Sequence, residues 1–192
     1  RLKMNKLRVG ICGWGNVATG LFKTLQTNSV EIKKRSNLEI EIIAIGARRD
    51  NPKCDPGNVI IERDIFKIID HDIDVIVELI GGVDVARDLI LKALNAKKHV
   101  VTANKAVIFN HGNELFSVAN KNGVKLLYES SVCAGTPIIK LLNQELAASK
   151  ISKISGMLNG TSNFILSNME EGMEFEPTLK LAQEKGYAEP DP

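Results

Sequence analysis

A glycine-rich loop near the start of the chain constrains the fold more than any other feature. Residues 7–12 are mostly apolar and form a short run, which is typical of a buried strand, and residues 13–18 match the pattern G-x-G-x-x-G/A. After the loop, Val17, Leu21 and Leu25 recur every four residues, which indicates one apolar face of a helix. A strand, this loop and a helix in succession predict a dinucleotide-binding turn.

The small residues of the loop suit a bound pyrophosphate. Gly13 permits a tight turn, Gly15 lets the backbone approach the phosphates, and Ala18 allows close packing of helix on strand. The N–H groups at the helix N-terminus would then bind the phosphates. The other loop residues that we assign to the cofactor site are Trp14, Asn16 and Val17. A tight turn without a ligand is the alternative that these residues leave open.

Apolar and amphipathic segments alternate through the first two thirds of the chain. The pattern predicts strands over residues 38–45, 74–80, 98–102 and 124–128, with helices over 62–70, 84–96 and 111–122. This order predicts an α/β fold with a Rossmann-like, doubly wound parallel sheet.

The pattern changes near residue 130 to a turn-rich linker. Helices are predicted beyond it over residues 138–148, 164–171 and 176–185, with a strand over 151–158. We therefore expect residues 1–130 to form an NAD(P)-binding domain. Residues 131–192 would begin a second, α+β domain that faces the substrate.

The end of the second predicted strand indicates which dinucleotide is bound. An acidic residue usually stands there and binds the ribose hydroxyls of NAD, but this chain has Arg48 and Arg49. An arginine pairs well with a 2′-phosphate, so the residues favour NADP over NAD. An exposed basic loop is the alternative, and NAD stays open.

Further candidates follow the later strands at their carboxyl ends, where open α/β sheets bind ligands. On this ground we assign Gly81, Gly82, Thr102 and Lys105 to the cofactor site. The Lys105 ammonium would hold the nicotinamide ribose or orient a substrate carbonyl, unless it is simply solvated. Glu78, a carboxylate within an apolar strand, either faces the crevice or caps a neighbouring loop.

Composition argues against several other classes of protein. The formal net charge of +2 gives no reason to expect nucleic acid or a membrane surface as a partner. Apolar runs are far shorter than the ~20 residues of a membrane span. Three cysteines without metal-like spacing predict reduced thiols and a cytoplasmic protein.

Taken together, the motifs resemble those of the homoserine dehydrogenase family. The segments that carry the resemblance occur in family order over nearly the whole chain: residues 13–17, 77–82, 101–106, 128–139, 156–166 and 186–191. The last three are the most specific. The resemblance implies an NAD(P)-dependent oxidoreductase of threonine and methionine biosynthesis. Such an enzyme interconverts L-homoserine and L-aspartate 4-semialdehyde and is a homodimer at full length.

The resemblance also implies roles for individual residues. Lys105 matches the lysine beside the nicotinamide, and Glu189 matches the glutamate that holds the substrate amino group. Asn159 and Thr161, in the polar loop of the same family motif, are assigned to substrate binding. A sodium ion is implied in the segment from residue 129 to 136. Its ligands would be the side chain of Glu129 and the backbone carbonyls of Val132, Ala134 and Thr136.

One departure from the family pattern concerns catalysis. The family has an aspartate and then a lysine, which polarise the substrate hydroxyl and transfer its proton, at positions that would follow Pro192. We therefore expect no catalytic residue within this chain. We expect it to bind cofactor and to turn over homoserine weakly or not at all. The alternatives are another amino-acid dehydrogenase of the same fold and a non-catalytic dinucleotide-binding module.

Overall fold

The computed structural model describes residues 5–157 and 159–188, and the chain divides into two compact units, residues 1–139 and 140–192. The first unit is built on a parallel sheet, whereas the only regular elements among the described residues of the second unit are helices. The domain boundary predicted after residue 130 stays a prediction.

In the described part of the chain, six parallel strands form the sheet, in the order β3-β2-β1-β4-β5-β6. Their bounds are β1 Asn5–Cys12, β2 Leu38–Gly46, β3 Ile60–Glu62, β4 Val75–Glu78, β5 His99–Thr102 and β6 Leu126–Leu127. This is the strand order of a Rossmann fold, so the predicted fold class is confirmed. The order reverses between β1 and β4, which places a crevice at their carboxyl ends.

Four α-helices and a 3-10 helix connect these strands. They are α1 Asn16–Thr27, α2 Ser29–Ser36, the 3-10 helix Ile65–Asp70, α3 Asp84–Asn95 and α4 Lys105–Asn122. The helix predicted over residues 111–122 begins earlier than expected, because Asn104 caps it by accepting a hydrogen bond from the Val107 N–H at 3.1 Å. Residues 62–70 were predicted as helix throughout, but Glu62 ends the short strand β3.

The core consists of two apolar layers, one on each face of the sheet. Neighbouring residues of a strand point to opposite faces, so Ile11 packs in the layer with Phe22 of α1, and Cys12 packs with Leu89 of α3. Both faces being covered explains why the strands are almost continuously apolar.

In the second unit, helical segments follow one another along the chain. They are a short α-helix α5 (Ile138–Lys140), which starts in the first unit, a π-helical turn (Leu141–Glu145), α6 (Gly160–Glu170) and α7 (Phe175–Glu184). The strand predicted over residues 151–158 is wrong for 151–157, which form no regular structure, and residue 158 lies outside the described residues. No helix in the described part of the chain is long and apolar enough to cross a membrane.

Candidate functional site

A cleft of about 770 Å³ lies at the carboxyl ends of β1, β2 and β4. Six residues assigned to the cofactor site from the sequence line it: Gly13, Trp14, Gly15, Arg48, Arg49 and Gly81. The strand order alone places a ligand crevice at this point. Asn16, Val17, Gly82, Thr102 and Lys105 were assigned to the same site but are outside the set of residues that line the cleft.

Gly13 makes the turn that opens the cleft. Its φ is +103°, a left-handed value that favours glycine, and a Cβ atom there would lie 2.5 Å from the carbonyl oxygen of Leu79. Its N–H donates to the Gly46 carbonyl at 2.8 Å. The loop is thus held between the ends of β2 and β4.

Gly15 and the start of α1 present the backbone to open space. A Cβ atom on Gly15 would have no heavy atom within 4 Å, and no side chain caps the helix that begins at Asn16. Asn16 and Val17 are exposed. Uncapped N–H groups at a helix N-terminus attract anions, so this arrangement suits a pyrophosphate.

Contacts of Trp14 with the core hold the glycine-rich loop in place. Its ring is buried edge-on against Phe22, with the ring centroids 5.2 Å apart. Its carbonyl accepts from the Asn51 side-chain amide at 3.0 Å, and the same amide donates to the Thr19 hydroxyl at 3.1 Å. Sequence reasoning missed Asn51, because nothing local indicates a contact with a residue so far along the chain.

Arginines form the β2 side of the cleft. Arg48 and Arg49 are exposed, and no ion pair of either is found among the described residues. Arg63 also lines the cleft, where it donates to Asp50 at 2.7 Å and to the Ala47 carbonyl at 3.2 Å. Sequence reasoning missed Arg63; recognition of β3 would have placed it at a strand's carboxyl end. The other lining residues that it missed include Asp64, Ile65, Phe66 and Val85.

Glu78 caps the loop after β4, which is the second of the two alternatives that the sequence left open. The side chain is fully buried. One carboxylate oxygen accepts from the N–H groups of Ile80 and Gly81, at 2.9 and 3.3 Å. The other accepts from the Thr102 hydroxyl at 2.5 Å.

Thr102 and Lys105 occupy different environments at the end of β5. Thr102 is fully buried and its hydroxyl is engaged with Glu78, whereas Lys105 is exposed as the first residue of α4. Between them, Asn104 donates its side-chain amide to the Gly82 carbonyl at 2.6 Å. An Asn immediately before a helix is a common N-cap, and this signal would have found Asn104.

Cys12 lies beneath the site but is not a nucleophile. Burial, with a smaller contribution from the negative charge of Glu78, raises the pKa of the thiol to about 12. The thiol is therefore protonated at neutral pH, and a protonated thiol is a poor nucleophile.

The segment predicted to bind sodium is a compact turn. The Glu129 carboxylate accepts from the Ile139 N–H at 2.7 Å, and the Thr136 carbonyl accepts from the Ile138 N–H at 2.8 Å. No cluster of three or more His, Cys, Asp or Glu side chains that suits a metal ion occurs among the described residues. The predicted set of one carboxylate and three carbonyls is of a different kind, and its oxygen atoms suit a hard cation.

Within the second unit, the two segments assigned to substrate binding meet. Asn159 caps α6 by accepting from the Ser162 N–H at 2.9 Å, and the Thr161 hydroxyl donates to the Tyr187 carbonyl. The Phe164 and Tyr187 rings pack with centroids 5.1 Å apart. Glu189 lies outside the described residues.

Comparison with known proteins identifies the family. Residues 13–129 match the family model described as "Homoserine dehydrogenase, NAD binding domain". Residues 137–192 match the model described as "Homoserine dehydrogenase". The chain belongs to the homoserine dehydrogenase family.

Individual members of the homoserine dehydrogenase family are longer than this chain. The chain is 49% identical to the homoserine dehydrogenase of Pseudomonas aeruginosa, over 98% of this chain and 44% of that protein. It thus spans less than half the length of this relative. A crystal structure of a homoserine dehydrogenase from Thiobacillus denitrificans matches 98% of the chain with a TM-score of 0.91 and 42% identity, and the match covers 44% of that structure.

A hyperthermophilic archaeal homoserine dehydrogenase in complex with NADPH also matches, with a TM-score of 0.83 and 26% identity over 97% of this chain and 63% of that one. The name of the matching NAD-binding model and this family member both support a nicotinamide dinucleotide as the cofactor.

Proposed function

We propose that this chain binds the dinucleotide of an NADP-preferring homoserine dehydrogenase, which interconverts L-homoserine and L-aspartate 4-semialdehyde. The observation that carries the proposal is the cleft, which combines an uncapped helix N-terminus with an arginine-rich wall. Family membership supports the reaction. It also favours homoserine over the substrates of another amino-acid dehydrogenase, and a panel of amino-acid substrates with the full-length protein tests that choice.

The residues of the cleft fit the parts of the cofactor. The open space at Gly15 and the start of α1 would hold the pyrophosphate. Arg48 and Arg49, at the end of β2, would bind the phosphate that distinguishes NADP from NAD. When bound, the dinucleotide supplies hydride chemistry, and the protein supplies binding and orientation.

The remaining assignments extend the same proposal. Lys105 and Gly82 would contact the nicotinamide half of the dinucleotide. The buried Thr102 would stabilise this part of the site without being exposed. Asn159, Thr161 and Glu189 would serve the substrate, and residues 129–136 would hold a sodium ion. The catalytic aspartate and lysine and the homodimer follow from the family resemblance, and the cytoplasmic location follows from the cysteine pattern. Sedimentation of the full-length protein tests the dimer.

Calorimetric titration of the chain with NADPH and with NADH tests the cofactor preference. Replacing Arg48 or Arg49 by alanine removes a charge-assisted hydrogen bond to the 2′-phosphate. We expect the Kd for NADPH to rise about tenfold while that for NADH stays within about twofold. Arg35→Ala is the matched control, because Arg35 pairs with Glu31 on the exposed helix α2. Equal affinity for NADPH and NADH in the unmodified chain would reject the NADP preference.

A further inference from the structure

Glu78 is the only fully buried carboxylate among the described residues. Burying a charge is costly unless hydrogen bonds compensate it. Here three donors do so: the N–H groups of Ile80 and Gly81 and the hydroxyl of Thr102. The carboxylate therefore determines where the backbone after β4 can lie.

Thr102 and Asn104 extend this hydrogen-bond network to α4. The Thr102 hydroxyl accepts from the Asn104 N–H at 3.0 Å, and the Asn104 amide donates to the Gly82 carbonyl at 2.6 Å. The segment 80–82 is thus held at both ends. Its two glycines have φ values of +73° and +71°, so the backbone has an unusual shape that these contacts maintain.

The held segment forms one wall of the cleft. Leu79, Ile80 and Gly81 line it, and the Leu79 carbonyl lies directly against Gly13 of the glycine-rich loop. In a Rossmann fold the pyrophosphate lies over the β1–α1 turn and the adenosine half lies toward β2. The other half of the dinucleotide must then lie over β4 and β5, which is where Glu78 fixes the backbone.

We infer that Glu78 is a positioning residue for the nicotinamide half of the dinucleotide, acting through the segment 80–82 and with Thr102 as its partner. The inference rests on the proposed function, because it assumes that the cleft binds a dinucleotide. Glu78 itself is buried and does not touch the ligand. Its replacement should weaken contacts to one half of the cofactor and spare the other half.

Substitutions at Thr102 test the network with little change in shape. Thr102→Val removes the hydroxyl, which leaves one Glu78 oxygen and the Asn104 N–H without their partner. Thr102→Ser restores the hydroxyl and is the conservative rescue. Glu78→Gln keeps an acceptor for Ile80 and Gly81 and loses the acceptor for Thr102.

The matched control is Thr178→Val in the second unit. Thr178 is also fully buried, and its hydroxyl also donates, to the Glu174 carbonyl at 2.7 Å. This control reports what the loss of a buried threonine hydroxyl does away from the cleft. Thermal unfolding followed by circular dichroism identifies any variant that fails to fold.

Two ligands separate the halves of the site by titration calorimetry. NADPH contains both halves, and 2′,5′-ADP contains only the adenosine half with its 2′-phosphate. For Thr102→Val and Glu78→Gln we expect the Kd for NADPH to rise about tenfold, with the Kd for 2′,5′-ADP within about twofold of the unmodified chain. Thr102→Ser should recover most of the NADPH affinity, and Thr178→Val should change neither Kd.

Each other result overturns the inference. An unchanged Kd for NADPH in both variants would mean that Glu78 does not position the cofactor. Equal weakening of NADPH and 2′,5′-ADP would mean that the network supports the whole cleft and not one half. If the unmodified chain binds neither ligand, the proposed function fails, and the inference fails with it. If the unmodified chain binds both ligands and the variants give either of the first two results, the inference fails and the proposed function stands.

Discussion

At the scale of single residues, the two glycines of the loop have different physical reasons to be glycine. Gly13 has a left-handed φ and a backbone oxygen 2.5 Å from where a Cβ atom would stand. Gly15 has an ordinary φ of −93° and empty space around it. Replacement of Gly13 by alanine should therefore impair folding, whereas replacement of Gly15 by alanine should impair binding.

We expect Gly13→Ala to destabilise the chain by about 1–3 kcal/mol, because both the backbone strain and the clash with Leu79 oppose it. Gly15→Ala should change stability by less than about 1 kcal/mol but raise the Kd for NADPH at least about tenfold, because its methyl group enters the pyrophosphate space. Urea unfolding and NADPH titration measure the two effects. A stable Gly13→Ala chain, or full NADPH affinity in Gly15→Ala, would contradict the assignment.

The residues that sequence reasoning found are those that belong to local patterns. Gly13, Gly15 and Gly81 stand next to apolar strands, and all three line the cleft. Arg63 and Asn51 were missed because their roles depend on contacts between distant parts of the chain, Arg63 with Ala47 and Asn51 with Trp14. Such contacts depend on which strands are neighbours, and strand order is not visible in a single stretch of sequence.

At the scale of elements, an ion pair joins the start of β4 to β1. The Asp74 carboxylate accepts from the Arg8 N–H at 2.8 Å and from the Arg8 guanidinium at 2.7 and 3.0 Å. The Arg8 hydrogen bond is the main cause that holds the pKa of Asp74 below its usual value of 3.8. A depressed pKa means that the charged form stabilises the fold at any pH above the unfolded value, and that this stabilisation is lost as the pH falls through the folded pKa.

We therefore expect Asp74→Asn to lower the urea midpoint at pH 7, and the difference from the unmodified chain to shrink as the pH falls below about 4. Asp72→Asn is the control, because Asp72 also contacts Arg8 but its side chain is 81% exposed. Its effect should be smaller at every pH. A difference for Asp74→Asn that grows toward acidic pH would reverse the sign and reject this account.

Two glycines, one at the end of a helix and one inside a helix, supply a second prediction at this scale. Gly123 ends α4 with a φ of +67°, and the next residue, Val124, donates to the Ala119 carbonyl at 3.0 Å. Gly123→Ala should cost about 1 kcal/mol. Gly20 is exposed inside α1, with no atom within 4 Å of an added Cβ, so Gly20→Ala should gain up to about 1 kcal/mol. Urea unfolding of both variants checks the signs, and equal signs would contradict the explanation.

Helices and strands were predicted correctly where the periodic spacing of apolar residues continued over enough residues to be recognised. The strands β1, β2, β4 and β5 and the helices α1 and α3 lie close to the predicted segments. The strand β3 was missed because its three residues are too few to show a period. Burial does not support the strand predicted over residues 151–158, because Ile151 and Ile154 are exposed.

At the scale of the whole molecule, ligand binding and stability are linked. A ligand that binds the folded state alone stabilises it, by about 2.7 kcal/mol when its concentration is 100 times its Kd. Trp14, the only tryptophan of the chain, lies in the glycine-rich loop and is buried. Its emission therefore reports the unfolding of the unit that contains the cleft.

We expect NADPH to shift the Trp14 unfolding transition to higher urea, and 2′,5′-ADP to shift it less at equal concentration, because that ligand lacks the half that lies over β4 and β5. In Gly15→Ala the shift with NADPH should be about half that of the unmodified chain or less, although the transition without ligand stays close to that of the unmodified chain. Quenching of Trp14 without a shift in its transition would mean that the dinucleotide contacts the folded and unfolded chains equally. The loop could then not be a binding site, since a site made by folding must stabilise the fold that makes it.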